Sequence, residues 1–241
     1  MRWIYLSPHL DDAVLSCGGL IFQQRRAGTP VEIWNWMSGI PADEMPLSDL
    51  ARSVHAGWEL ASAKETLDAR LTEDRLAALR VNANPRYFDF LDCIYRCADD
   101  GEILYPGEIF VSPHPADHSL VSKIAEVIAK NRRPDDVLVC PLTIGKHPDH
   151  VIVRRAAEQA GQPLRYYVDI PYAFWYPEQL AEITENLEAE AFPISEGELV
   201  VWQEAVAAYS SQLTVLFGGE EMMKNALKLH WRVNRDFYLY F

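Results

Sequence analysis

The chain has 241 residues, 49% of them apolar and 24% charged, enough apolar material for one sizeable core. A disordered or fibrous protein is excluded on that basis. Its 35 acidic against 22 basic side chains leave a formal charge of −13, which repels phosphate backbones and anionic lipid surfaces and removes nucleic acid as a main partner.

The four cysteines, Cys17, Cys93, Cys97 and Cys140, form no Cys-x-x-Cys pair. Three of them sit in apolar or strand-like contexts and read as small buried hydrophobes; the set implies a reducing compartment, with the cytoplasm as the expected location. No apolar run approaches the ~18 residues of a membrane helix, so no membrane insertion is expected. Arg2 is followed at once by Trp3-Ile4-Tyr5-Leu6, which reads as a strand and not as a signal peptide. Association with copies of itself is left open.

In chain order, residues 2–7 form a short apolar strand ending at Ser7-Pro8. Residues 13–26 carry apolar side chains at helical spacing and stop near Gly28. Strand residues 31–37 and loop residues 38–46 follow. The Ala-, Leu-, Glu- and Arg-rich residues 61–80 form a helix, and 87–91 a third strand. Asp117 is placed to cap a helix over 120–130. Pro134-Asp135-Asp136 introduces a strand over 137–141, followed by a helix over 151–160 and a strand over 165–169.

Beyond Pro171 the rhythm changes. Ser195-x-x-Glu198 is a capping box that predicts one helix to about residue 216. A short helix at 220–229 and an aromatic tail at 237–241, a strand or the edge of a lid, complete the chain. The alternation of strands and helices predicts an α/β fold with a mostly parallel sheet. Ligands of such sheets bind beyond the carboxyl ends of the strands. No Gly-x-Gly-x-x-Gly or P-loop is present, which disfavours a nucleotide cofactor.

Two clusters of reactive side chains fall where the chain leaves a strand: His9-Leu10-Asp11-Asp12 and His147-Pro148-Asp149-His150. A catalytic zinc takes three ligands from His and carboxylate and keeps one position for water. His9, Asp12 and His150 supply that set, with Fe2+ as the other ion it suits. Asp11 then remains as a free carboxylate to take a proton. His147 is placed to stabilise an oxyanion or protonate the leaving amine, with Asp149 holding His147 in its tautomer. Taken singly, Asp11, Asp12 and Asp149 read equally well as caps of the helices they precede.

Residues 8–19, Pro-His-Leu-Asp-Asp-Ala-Val-Leu-Ser-Cys-Gly-Gly, resemble the first motif of the PIG-L/LmbE-like de-N-acetylase superfamily, and residues 141–150 resemble the second. Weaker echoes are Arg70-x-x-Glu73-Asp74, Asp92-x-x-Tyr95-Arg96, Asp169-x-Pro171-Tyr172 and Tyr209-x-Ser211-Gln212. The resemblance implies a Rossmann-like three-layer fold and one PIG-L/LmbE-like deacetylase domain over 1–241, with a core at about 2–170 and a helical and aromatic extension at about 171–241. It further implies a single zinc on His9, Asp12 and His150. Asp11 is then the general base, His147 the oxyanion stabiliser, and the substrate an N-acetylglucosamine-type sugar or conjugate. Leu10 and Ala13 replace the Pro and Glu of the commonest family motif, and neither lost group is a ligand.

Arg96, Asp169 and Tyr172 follow strands and are candidate substrate contacts. His114-Pro115-Ala116-Asp117-His118 imitates the second motif but reads as loop and cap. His55 and His230 read as structural, Tyr209 and Gln212 as packing. Trp175 and Tyr176 could stack on a sugar or close a core edge. Two further readings stay open: an amidase acting on a non-sugar amide, and a catalytically silent sugar-binding protein. The retained Asp11 argues against the second.

Overall fold

The structure, a computed structural model, describes residues 1–42, 45–57, 62–161 and 163–241. Its first half runs β1 (Trp3–Ser7), α1 (Asp12–Arg26), β2 (Val31–Asn35), α2 (Asp49–Gly57), α3 (Ala63–Arg80), β3 (Asn84–Tyr87) and α4 (His118–Asn131). It continues through β4 (Val137–Pro141), α5 (Pro148–Ala160), β5 (Leu164–Tyr167), α6 (Tyr172–Trp175) and α7 (Pro177–Thr184). The last part is β6 (Ala189–Pro193), α8 (Glu196–Val206), α9 (Ser210–Phe217), α10 (Glu220–Asn234) and β7 (Asp236–Tyr240).

One seven-stranded sheet has the order β3-β2-β1-β4-β5-β7-β6. The first five strands pair in parallel, and β7 pairs antiparallel with both β5 and β6. The α/β, mostly parallel expectation holds. Alternate side chains of one strand feed two cores. Tyr5, Val137 and Val139 face a core shared with Trp202 of α8 and Leu227 of α10. Ile4, Leu6, Leu138 and Cys140 face Ile124 of α4 and Ile152 of α5. Both faces of the central strands are therefore buried, which is why β1 and β4 read as continuous apolar runs and not as alternating ones.

Several boundaries move. The third strand lies at Asn84–Tyr87, not 87–91, in register with Glu32–Asn35. Pro85 is tolerated there because β3 is an edge strand, and Phe88 and Phe90 leave the ladder to pack against Trp36. The helix expected over 61–80 begins at Ala63, behind a Ser62 cap that accepts from the Glu65 backbone N–H; residue 61 lies outside the described residues. The helix expected to run from Ser195 to about 216 is two helices, α8 and α9, broken at Ala207–Tyr209, although the capping box at Ser195 and Glu198 is present. The aromatic tail is not a lid edge. As β7 it lies inside the sheet, so the C-terminal extension completes the same sheet as the core. Helices α2, α6 and α7 and strand β6 had no counterpart in the sequence reading.

Gly18 shows how closely the C-terminal part sits on the core. A Cβ on Gly18 would lie 2.6 Å from Cδ1 of Trp202, whose indole N–H donates to the Val14 and Leu15 carbonyls. Gly18→Ala is expected to cost about 1–3 kcal/mol by overpacking, read as a lowered Tm in thermal unfolding. An unchanged Tm would mean that α1 and α8 do not meet this closely. Among the described residues no helix is long and apolar enough to cross a membrane.

Candidate metal-centred active site

The chain goes outward from β1 to β2 and β3, then returns to β4 on the other side of β1. The crevice between the carboxyl ends of β1 and β4 is the switch point where α/β sheets bind ligands. Both clusters open into it. Leaving β1, the Ser7 hydroxyl donates to the His9 carbonyl at 2.6 Å and accepts from the Ala13 N–H at 3.0 Å, which bends the loop onto the start of α1. Leaving β4, Thr143, Gly145 and Lys146 take positive φ angles of 68°, 82° and 59°. That turn delivers His147 to the cap position of α5, and strain of this kind is held where surrounding structure enforces it.

The capping explanation fails for Asp11. It occupies the cap position of α1 but makes no capping bond; its carboxylate instead faces Arg70 of α3, Nη2 to Oδ1 3.2 Å. Asp12 Oδ2 lies 3.2 Å from His9 Nδ1 and 3.3 Å from His150 Nε2. Ligand atoms about 2.0–2.1 Å from one tetrahedral ion would be spaced by about 3.3 Å.

Tautomers separate the two candidate metal ligands, His9 and His150, from the third histidine. His9 Nε2 lies 3.0 Å from Asp149 Oδ2 and His150 Nδ1 lies 2.8 Å from Asp169 Oδ1. A carboxylate only accepts, so those nitrogens carry the hydrogens, and once the rings are neutral the lone pairs of His9 Nδ1 and His150 Nε2 face Asp12. His150 Nε2 is buried and makes no hydrogen bond, despite Asp12 at ion-pair distance. A buried imidazole nitrogen without a hydrogen bond, beside a carboxylate and a second lone pair, fits a divalent cation.

His147 differs. Its ligand atom lies within 4.8 Å of those of His9 and His150, but its Nδ1 accepts from the Asp149 backbone N–H at 3.2 Å. The neutral ring therefore carries its hydrogen on Nε2, which makes His147 a donor and a poor ligand. Cys93 Sγ lies 3.9 Å from that Nε2.

Charge follows from this packing. Burial opposes ionisation of Asp12, but His150 and His9 outweigh it and hold its carboxyl well below the usual range. Burial pushes Asp11 upward against the pull of Arg70. Burial, reinforced by the neighbouring His9, drives His147 well below the ordinary histidine value. For His150, Asp12 and Asp169 overcome burial and raise it to about 9 in the metal-free protein. A metal must displace that proton. Below about pH 9, metal affinity is therefore expected to rise with pH, by about tenfold per unit for each proton released. Apparent Kd values at pH 6, 7 and 8 measure this, and a flat profile would contradict it.

Four expected assignments change. Asp149 does not hold the His147 ring; its carboxylate accepts from His9 Nε2, from the Cys93 N–H at 3.0 Å and from Arg96, because helix α5 turns it back under His9. Arg96 is not at the substrate cavity. It is buried between Asp149 and Asp117, the ion-pair alternative to substrate contact. Asp169 is also removed from the cavity, 1% exposed and bound to His150 and the Ile144 N–H. Asp117 precedes α4 without a capping bond, since its carboxylate serves Arg96 and the Tyr105 hydroxyl.

A cavity of about 330 Å³ opens over the cluster, lined by His9, Asp11, Asp12, His147 and Tyr172. Arg70, Asp92 and Gln212 line it too. None of these three stood among the candidate site residues; Arg70 and Asp92 were visible only as motif echoes, and Gln212 read as packing. Of the remaining histidines, His55 is buried against the Tyr95 hydroxyl at 2.6 Å and His230 pairs with Asn234.

A doubly wound α/β sheet, with a candidate divalent-metal cluster and a spare carboxylate at its switch point, defines a hydrolase-type site. The sequence profile described as "PIG-L: GlcNAc-PI de-N-acetylase" matches residues 4–161. The 2'-N-acetylparomamine deacetylase of Niallia circulans is 25% identical over 238 residues, covering 92% of this chain and 84% of that relative. The enzyme of the same name from Streptomyces fradiae is 31% identical over 185 residues, 71% of this chain but only 58% of the relative. The crystal structure of the zinc-inhibited form of a teicoplanin deacetylase superposes with a TM-score of 0.86 at 29% identity, over 100% of this chain and 97% of that one. The chain belongs to the PIG-L family, and it is an N-deacetylase, a hydrolase of amide C–N bonds.

Proposed function

We propose that the chain, acting as one domain over residues 1–241, hydrolyses the N-acetyl group of a glucosamine-type amino sugar or its conjugate, with zinc as its metal. The observation that supports this reading is that His9 Nδ1 and His150 Nε2 lie 3.2 and 3.3 Å from the same Asp12 oxygen, with Asp11 left over beside them. The relatives named for 2'-N-acetylparomamine and teicoplanin support the sugar. Two imidazoles and one carboxylate suit zinc.

His9 Nδ1, Asp12 Oδ2 and His150 Nε2 would hold the ion. When bound, it supplies Lewis acidity that polarises the acetyl carbonyl and makes water a better nucleophile. Asp11, its proton affinity raised by burial, takes a proton from the attacking water and returns it to the departing nitrogen. His147, neutral and anchored through Nδ1, donates its Nε2 hydrogen to the developing oxyanion. The sugar's hydroxyls meet Arg70 and Asp92, and Tyr172 closes the cavity beside His147. Acetate and a free amine leave.

The protein's place is the cytoplasm, a reading supported by the four free cysteines. Acetate release from N-acetylglucosamine and its glycosides by the zinc-loaded protein tests the proposal. Release only from non-sugar amides would replace the sugar reading by the amidase one, and no release from either would overturn both.

A further inference from the structure

The second-motif look-alike, His114-Pro115-Ala116-Asp117-His118, is not absorbed by the catalytic cluster. His118 is exposed, and His114 spends its Nδ1 on the Ala116 N–H at 3.2 Å. Asp117 alone of the five is buried. A carboxylate is costly to bury unless it is paired and hydrogen-bonded, so its partners account for its place.

Asp117 Oδ2 accepts from Arg96 Nε at 3.0 Å and from the Tyr105 hydroxyl at 2.6 Å, and Arg96 Nη2 lies 3.0 Å from the same oxygen. The Tyr105 hydroxyl accepts in turn from the His114 N–H at 2.8 Å. From its other edge the guanidinium donates through Nη1 to Asp149 Oδ1 at 2.5 Å and to the Leu91 carbonyl at 2.9 Å. Asp149 Oδ2 then accepts from His9 Nε2 at 3.0 Å. Tyr105, Asp117, Arg96, Asp149 and His9 thus form one unbroken chain of hydrogen bonds, and all five side chains are buried. A guanidinium transmits orientation along such a chain, because its donors are fixed in one plane. With a carboxylate on each edge, Arg96 cannot turn without breaking bonds on both. Asp117 also takes up part of the Arg96 charge. Without it, all of that charge falls on Asp149, which becomes a weaker acceptor for His9 Nε2–H and leaves His9 Nδ1 a less basic ligand.

We propose that Asp117 is a positioning residue for the metal centre: acting through Arg96 and Asp149, it fixes the ring of His9 and raises the affinity of the site for a divalent cation. The inference rests on the reading of His9 as a metal ligand. Tyr105 is the outer anchor of the chain, since its hydroxyl holds Asp117.

The test measures zinc dissociation constants, by competition with a chromophoric chelator, in wild type, Asp117→Asn, Tyr105→Phe and Arg96→Lys. Asp117→Asn and Tyr105→Phe are then repeated in an Asp149→Asn background. Each single variant is expected to weaken zinc binding about three- to tenfold, the scale of one lost hydrogen bond and below the effect of a direct partner of the ligand. Tyr105→Phe leaves the net charge unchanged, so its effect is not that of an altered field at the cation. In the Asp149→Asn background the chain is already cut, because one amide oxygen cannot accept on both sides. There the two variants should change the constant by less than about twofold. Effects that persist undiminished in that background overturn the proposal, and so does an unchanged zinc affinity in the single variants accompanied only by a lowered Tm. A second measurement needs no metal. The proton on His9 Nε2, followed by NMR in the zinc-free protein, is expected to move upfield in Asp117→Asn and Tyr105→Phe, and an unmoved resonance overturns the proposal even where Asp149→Asn fails to fold. If wild type binds no zinc but that resonance moves, the metal reading fails and the positioning of His9 by Asp117 stands.

Discussion

Asp11→Asn is expected to keep its metal and lose about 10²- to 10⁴-fold in kcat, the usual contribution of a positioned general base. The amide fills the same space but cannot take a proton. Folding should survive, because the buried Arg70 retains Asp92, Asp12 and Glu73 as charged neighbours. Metal content by mass spectrometry and acetate release measured on the same preparation make the comparison. Wild-type turnover in Asp11→Asn would remove the base assignment, and loss of the metal would make Asp11 a ligand. The second result is not expected, since the carboxylate is turned to Arg70.

Asp149→Ala is expected to act on stability and metal retention together. The carboxylate is fully buried and faces Arg96 at 2.5 Å and His9 Nε2 at 3.0 Å. Removing it strips Arg96 of one of its two acidic partners and leaves Cys93 N–H without its acceptor. Breaking a buried pair in this way typically costs about 3–5 kcal/mol. Loss of the partner that orients His9 should weaken metal binding by about 10- to 100-fold.

Denaturant unfolding and metal titration measure the two effects. If Asp149 instead served His147, as the spacing suggested, the metal would stay and only kcat would fall. The variant also has a predictable pH signature. Arg96 and His9 overcome burial and hold the Asp149 carboxyl far below its usual range. A group depressed on folding contributes stability above its unfolded value and loses it as pH falls. Wild type should therefore lose more stability than Asp149→Ala on going from pH 6 toward pH 3.

The two motifs could be read from the sequence because each is local. His9 to Asp12 and His147 to His150 lie within one loop and one helix turn, and the apolar runs of β1 and β4 place both at strand ends. Arg70 and Asp92 could not be read in the same way. Arg70 lies mid-helix in α3, where an arginine is an ordinary solvated residue, and only the packing of α3 against α1 turns it onto Asp11. The exchange of partners by Asp149 is of the same kind. Sequence spacing put it near His147, yet the peptide N–H of Asp149 caps that ring while its carboxylate turns to His9. The break between α8 and α9 escaped detection because residues 196–216 hold no Gly after Gly197 and no Pro; the break is held by Glu73, which accepts from Ser210 and Ser211, and by Asp74, which accepts from Tyr209, more than 130 positions earlier.

Composition, apolar runs and two short motifs thus determined an α/β chain with a parallel sheet, and they marked the residues able to hold a divalent cation beside a spare carboxylate. Those properties depend on neighbours within a few positions, where periodicity and residue chemistry act directly. Tertiary structure decided which ring nitrogen carries its hydrogen, which carboxylate holds which histidine, and which helices wall the cavity. Each of these is a contact between groups distant in the chain, set by how α1, α3, α5 and α9 pack around one sheet, and local sequence holds no record of it.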